Sequence, residues 1–255
     1  MARDATEQSH AHGSARHVTW RDDVRRKWKR EVEELTNDLL LARWKEDYET
    51  LAADVRTIHR RRIIFSELDD EMVRRAAMES GYVVERFLRP MYVEAQVVAL
   101  RRLNDGDVRS VSFRRLLDEM RLRPNVATRS HYVEMAVSQF LDDPDGHHRR
   151  VEEENFDRLA GAGHDHLRDD VLAGYLKQLD EDLARVKQFV DKNVAHRDRL
   201  EAQALTWREL DAVIDNLEFR MNDVGLVLTG ATYAAAPSPP PMWREAFQRL
   251  FERSS

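Results

Sequence analysis

Three observations on this chain predict an all-α fold. Apolar residues recur at steps of three or four through most of its length, which lines one face of a helix rather than one side of a strand. Proline, glycine and Asx-rich clusters punctuate those runs where helices would start and stop. No segment reads as a β-sheet domain, a nucleotide-binding glycine loop or an exact internal repeat. The chain has 255 residues, 42% hydrophobic and 35% charged. That is enough to bury one large helical core, too apolar for wholesale disorder and too charged for a membrane protein.

Residues 1–17 are rich in Ala, Ser, Gly and His and predict a flexible N-terminal tail, with His10, His12 and His17 at most a loose metal site. A helical domain spans 18–232. From about Trp20 to Arg61, Val24, Trp28, Val32, Leu35 and Leu39 form a stripe, on one long helix or two closely joined ones. Ser66 followed by Asp69 suggests a new start, leading into a helix from about Glu67 to Leu88 with Gly81 a weak point. Arg89-Pro90 predicts an end or a kink, and a further helix covers Met91 to Leu103. Asn104-Asp105-Gly106-Asp107 is the clearest turn of the first half.

Ser110-Val111-Ser112-Phe113 starts a short helix through Met120, with Phe113, Leu116 and Leu117 facing inward. Pro124-Asn125 breaks the pattern, residues 129–141 resume it, and 141–146 form a loop. Composition near 142–168 is acidic and histidine-rich and reads as a polar insertion. A long helix is expected from Asp169 into the His196 region. Thr206-Trp207-Arg208-Glu209 is a capping box ahead of Leu210, Val213, Ile214 and Leu217, on a helix ending near Gly225 or Gly230. Residues 233–241 form a Pro-rich linker and 242–255 an amphipathic tail helix.

No apolar run is long enough to span a bilayer, and the polar start, with Asp4 and Glu7, does not form a signal peptide. The chain has no cysteine, which excludes disulfides, thiolate nucleophiles and cysteine-bound metal; the cytoplasm is the expected compartment. A formal charge of -6 does not mark the whole surface for nucleic acid. Two local runs, Arg25 to Arg30 and Arg56 to Arg62, are basic enough to meet phosphates, or are solvated helix faces.

The stretch with most chemistry is Phe189 to Asp198. On an ideal helix Arg185, Lys192, His196 and Arg199 fall roughly on one side, since His196 is separated from them by eleven, four and three residues. A near-neutral imidazole can transfer a proton, and cations beside it, Arg197 included, can hold a phosphate and offset developing charge. That grouping suits RNA cleavage by the strand's own 2′-hydroxyl, with no metal or other cofactor. The competing reading is a structural histidine near a helix end, stabilised by the dipole or by Asp198. Arg102 and Asp105, three apart, suggest a structural ion pair or cap, with Arg102 alternatively a phosphate contact.

Val194-Ala195-His196-Arg197-Asp198 resembles the signature of HEPN proteins, in particular the AbiU2-like branch associated with abortive infection. Arg102-Leu103-Asn104-Asp105 is similar to the arginine-to-aspartate turn of that branch. Ser110 to Phe113 resembles the helix start that follows, and Leu205 to Leu210 the segment after the histidine. The similarity spans roughly residues 35–230. It implies a HEPN-like helical bundle that commonly dimerises and sets paired arginine–histidine motifs at the subunit interface. It further implies a metal-independent endoribonuclease or a degenerate relative in phage defence or toxin–antitoxin systems, with RNA, a second copy and an antitoxin or regulatory protein as partners. The alternative is a non-catalytic helical dimerisation or regulatory module. Where the active pattern carries arginine, four to six residues intervening before the histidine, this chain has Asp191, Val190 and Phe189. Lys192 supplies charge nearby but lacks the guanidinium fork. His196 and Lys192 are therefore the catalytic candidates, with Arg185, Arg197, Arg199, Arg102 and Asp105 as phosphate-binding or supporting residues.

Metal chemistry is the competing possibility. His147, His148, Asp142, Asp143, Asp145, Glu152 to Glu154 and His164-Asp165-His166 offer donors, but in loop-like sequence without regular ligand spacing, so no metal site is assigned.

Overall fold

The computed structural model describes residues 11–75, 79–140, 146–189, 205, 207–231, 245 and 249. They form eight α-helices: α1 (Ala11–Glu34), α2 (Asn37–Arg75), α3 (Glu79–Leu103), α4 (Phe113–Leu122), α5 (Arg129–Val137), α6 (His147–Ala160), α7 (Asp169–Phe189) and α8 (Trp207–Thr229). A 3₁₀ turn, Pro124–Val126, joins α4 to α5, and no strand occurs among the described residues. The all-α expectation is met. α2 is the long spine, packed against α3, α4 and α8; α7 bridges α3, α4 and α8, and the α5–α6 hairpin closes one flank.

Each boundary has a local cause. The first helical stretch breaks at Leu35-Thr36. There the Arg123 guanidinium donates to the carbonyls of Val32 (2.9 Å), Glu33 (2.9 Å) and Leu35 (3.1 Å), satisfying groups that the end of α1 leaves open. Thr36 faces the next helix, its hydroxyl accepting from Leu39 N–H at 3.4 Å. The break resets the helical phase. Trp28 and Val32 are buried as the stripe predicts, whereas Leu39, now on α2, is exposed. α1 also reaches back to Ala11, into the stretch whose composition reads as tail.

α2 continues through Ser66, where a new start was expected. No glycine or proline interrupts Asn37–Arg75, and Ser66 is simply an exposed residue within it. Likewise α3 passes through Pro90 instead of ending there. Pro90 and Arg86 both face solvent, so water can satisfy the carbonyl that proline leaves unbonded. α4 begins as predicted: Ser112 accepts from Arg115 N–H at 3.1 Å, and Phe113, Leu116 and Leu117 are buried.

The expected polar insertion near 142–168 differs most. Its residues 147–160 are α6, which buries Phe156 and Ala160 against α5. Arg129 lies over the Phe156 ring at 4.9 Å and donates to His164 O at 2.8 and 3.1 Å, fixing the turn after α6. Only two positions of that helix are fully buried, too few for the apolar period to stand out among its charges.

α8 ends at Gly230, whose φ of +68° suits glycine and whose N–H donates to Leu226 O at 2.9 Å. Gly225, the other stop considered, lies inside the helix because α2 comes very close there. A Cβ at 225 would stand 2.5 Å from Tyr48 Cζ. The Pro-rich linker 233–241 lies outside the described residues, as do residues 1–10; of the tail 242–255, only Glu245 and Arg249 are described. No helix among the described residues is long and apolar enough to cross a membrane.

Candidate functional site

His196, Lys192, Arg197 and Arg199 all lie in the segment 190–204, outside the described residues. The geometry that can be built is that of the helices on either side and of the turn after α3.

α3 and α7 pack together, and the turn Asn104–Asp107 crosses beside the start of α4. Between them lies a cleft of about 690 Å³, lined by Arg101, Arg102, Asn104, Asp105, Arg114 and Lys187 among others. Four cationic side chains (Arg101, Arg102, Arg114, Lys187) face two anionic ones (Asp105, Asp180). Arg101 and Arg102 occupy the last turn of α3, and Lys187 that of α7. Part of the charge of Arg101 and Arg102 therefore offsets the C-terminal dipole of α3, which ends here.

Arg114 is the anchored member. Its Nη2 donates to Asp180 Oδ2 at 3.1 Å and its Nη1 to Asn104 Oδ1 at 3.0 Å. The Arg114–Asp180 bond, charge-assisted on both sides, holds the Asp180 carboxyl below the usual range and raises Arg114. The turn is held by its own hydrogen bonds. Asp105 Oδ1 accepts from Asp107 N–H at 3.0 Å, and the Ser112 hydroxyl donates to Asp105 O at 2.7 Å. Arg102, by contrast, is exposed, its nearest carboxylate Asp54 on α2 at 3.8 Å.

The structure thus brings Arg102 and Asp105 into one cleft, but not as a side-chain ion pair. Asp105 lies past the end of α3, off the helical surface where residues three apart meet, and touches Arg102 through its backbone N–H, which donates to Arg102 O at 3.2 Å. Arg185 is engaged elsewhere, in an ion pair with Glu209 on α8. Sequence reasoning passed over Arg101 and Arg114, which carry no motif and meet Lys187 only through α3–α7 packing.

The two basic runs are mostly solvated faces or ion pairs. Arg26 bonds Asp23 at 2.7 Å, and Lys27 stands 3.8 Å from Glu31. Arg62 is paired with Asp211 (3.2 Å) and with Asp215 on α8. His59 Nε2 sits 3.1 Å from Glu218 Oε2 but out of line for a hydrogen bond, and burial lowers its pKa despite that carboxylate. The potential metal donors have other neighbours. Glu152 accepts from the Tyr132 hydroxyl at 2.5 Å, and His148 stacks on Phe140 at 3.9 Å.

A second polar cluster, also missed, lies in the core. Glu119 is fully buried, and its carboxylate takes four donors: Trp28 Nε1 (2.9 Å), Trp44 Nε1 (2.9 Å), Arg115 Nε (2.9 Å) and Arg43 Nη2 (2.5 Å). Burial pushes its pKa up, but these donors outweigh it and hold the group below its ordinary value. The cluster ties α1, α2 and α4, and its carboxylate is buried with every bond directed to the bundle, so it shapes the scaffold rather than binding a substrate. Its sequence signal was a carboxylate within three positions of Leu116, Leu117 and Met120. Comparison of the chain with protein-family models, with curated proteins and with solved structures finds no match.

Proposed function

We propose that the chain binds an RNA phosphodiester at the cleft between the C-terminal ends of α3 and α7, as a metal-independent endoribonuclease of HEPN type or its degenerate relative. The observation that carries this reading is the gathering of Arg101, Arg102, Arg114 and Lys187 on one cleft, with α7 described as far as Phe189, seven residues before His196 along the chain. Phosphate affinity is dominated by such charge. The cleft also holds Arg102 and Asp105, residues that the sequence resemblance singles out.

In the cleavage step, neutral His196 takes the proton of a ribose 2′-hydroxyl. The 2′-oxygen attacks the adjacent phosphorus, the bond from phosphorus to the 5′-oxygen of the next nucleotide breaks, and that oxygen takes the proton back from the His196 imidazolium, which restores the neutral base. The products are a 2′,3′-cyclic phosphate and a 5′-hydroxyl end. Lys192 and Arg102 offset charge on the phosphoryl oxygens. The abortive-infection or toxin–antitoxin setting, and an antitoxin partner, belong to the same proposal through the resemblance alone.

The test incubates purified wild-type and His196→Ala protein with single-stranded and transfer RNAs in the presence of chelator. Histidine-dependent cleavage leaving cyclic phosphate ends is the expected result. Equal cleavage by both proteins, or cleavage that chelator abolishes, overturns the mechanism. RNA binding without cleavage assigns the degenerate form. One observation favours the second reading, a non-catalytic dimerisation module: α3 leaves an apolar face exposed.

A further inference from the structure

α3 buries Tyr92, Gln96, Val97, Leu100 and Leu103 against the bundle and leaves another face open. Along that face runs a groove of about 460 Å³. Its apolar lining is Met91, Ala95, Val98 and Ala99, and its charged lining is Arg61, Glu94 and Arg102. Arg102, 72% exposed, also lines the cleft between α3 and α7, so the two recesses adjoin through one side chain. Arg61 stands exposed on α2, with no ion pair among the described residues. One turn before Met91, on the same side of α3, Phe87 is 67% exposed. Exposed apolar residues in a row, rather than scattered singly, mark a binding surface.

Charge decides which way a strand held in the cleft would leave it. A second recess, of about 600 Å³, adjoins the cleft at Asp105 and Gly106. It sets three carboxylates, Asp22, Asp105 and Asp107, against two arginines, Arg25 and Arg109. Arg109 is already bonded to Asp107 at 2.9 Å, so that path repels a phosphate. The α3 groove has the opposite balance, two cations to one carboxylate, beside an apolar surface. Cationic tracks next to surfaces on which bases can lie are what single-stranded nucleic acid binds. Resting on the phosphate-binding reading of the cleft, we propose that this groove takes an unpaired base of the same RNA strand. The substrate is then single-stranded RNA, read at that nucleotide for a base with an exocyclic amino group.

Each lining group has a task. Met91, Ala95 and Val98 cover one face of the base, and the Met91 thioether adds a favourable contact to an aromatic ring. Arg102 and Arg61 meet the phosphates on either side of that nucleotide, and Phe87 stacks the base beyond it. Glu94 supplies the selectivity. Its carboxylate accepts from an amino group such as that of cytosine, whereas uracil presents a carbonyl oxygen at the same place, which a carboxylate repels. In a duplex that edge is already paired and both faces of the base are stacked, so the groove admits unpaired strands.

Fluorescence anisotropy with labelled oligocytidine and oligouridine of equal length tests it. The full chain carries His196→Ala throughout, so that the strands stay whole. Oligocytidine is expected to bind about tenfold more tightly than oligouridine, and Glu94→Gln to bring the two within about twofold. Phe87→Ala is expected to weaken both strands about tenfold and to leave the salt slope unchanged, since the ring carries no charge. Both substituted side chains are exposed, and circular dichroism checks that the variants fold. Equal affinity for the two strands, or affinity that Phe87→Ala leaves unchanged, overturns the proposal; if Lys187→Glu still weakens binding, the phosphate cleft stands without it. Binding of neither strand overturns both. A Phe87→Ala that dissolves a dimer in sedimentation and leaves RNA affinity unchanged gives the face to a second copy, and likewise overturns the proposal.

Discussion

Arg185 on α7 is ion-paired with Glu209 on α8, so charge joins the two helices on either side of the segment that carries His196. The arginine nearest that histidine on its N-terminal side is thus already occupied. Both partners are substantially exposed, which limits what the pair adds to stability. Glu209→Gln is expected to change the unfolding free energy by less than about 1 kcal/mol. On the proposed RNA-binding reading it frees a guanidinium and raises RNA affinity about threefold in filter binding. Unchanged or weaker binding shows that Arg185 takes no part.

Arg102 and Lys187 reach the cleft from two different helices. Arg102→Glu and Lys187→Glu are each expected to weaken RNA binding and to lower the slope of log affinity against log salt by about one. Thermal stability should stay near wild type. A slope unaltered by both changes places the phosphate contacts elsewhere.

Glu119 holds three helices together. In Glu119→Gln one oxygen becomes an amide nitrogen that points hydrogens at a donor, the Arg43 charge loses its buried counter-ion, and Arg115 keeps only Asp47, at 3.3 Å. The expected loss is about 3 kcal/mol in urea unfolding. Because the folded pKa is depressed below 4.5, the wild-type advantage is present above that value and fades as pH falls through the folded pKa. The stability gap between wild type and variant should therefore narrow in acid. A gap that does not change with pH contradicts an ionised Glu119.

Tyr48 and Gly225 give a packing test. Gly225→Ala forces a methyl group into the Tyr48 ring and should cost about 2 kcal/mol or more, read as a lowered Tm. The Tyr48 hydroxyl is buried without a partner among the described residues, and burial pushes its pKa up to about 12. Tyr48→Phe removes that unpaired group and is expected to be neutral or stabilising. A large loss from Tyr48→Phe would reveal a bond to the hydroxyl.

His59 and His131 both titrate below the ordinary 6.5, chiefly through burial. His131 also faces Lys45, 3.3 Å away. For such groups the unfolded chain binds protons that the folded chain refuses, so stability falls as pH drops through 6.5 toward the folded values. The urea midpoint should decline between about pH 7.5 and 5.5, and His59→Gln with His131→Gln should flatten that decline. An equally steep decline in the double variant assigns it to other groups.

Much of the helix inventory was legible in the chain. Ser112 and Gly230 are local devices: a hydroxyl that caps the next turn, and a glycine that tolerates positive φ. Each acts within four residues, so sequence alone reveals it. Ser66 as a helix start and Pro90 as a helix end misled for the converse reason. Their local preferences are weak beside a helix held on one side by packing and open to water on the other. α6 escaped notice because Phe156 and Ala160 are too sparse to show a period.

The candidate site divides in the same way. Composition and spacing determined an all-α chain, the turn after Leu103 and the interest of Arg102 and His196, since these depend on residues a few positions apart. Only the tertiary structure decided that Arg102 shares a cleft with Lys187 and Arg114, that Glu209 takes up Arg185, and that Glu119 is closed among two tryptophans and two arginines. Those partners lie tens of residues apart, and no periodicity records which faces of a bundle meet. Helix formation is a matter of neighbours along the chain; the electrostatics of a site is a matter of neighbours in space.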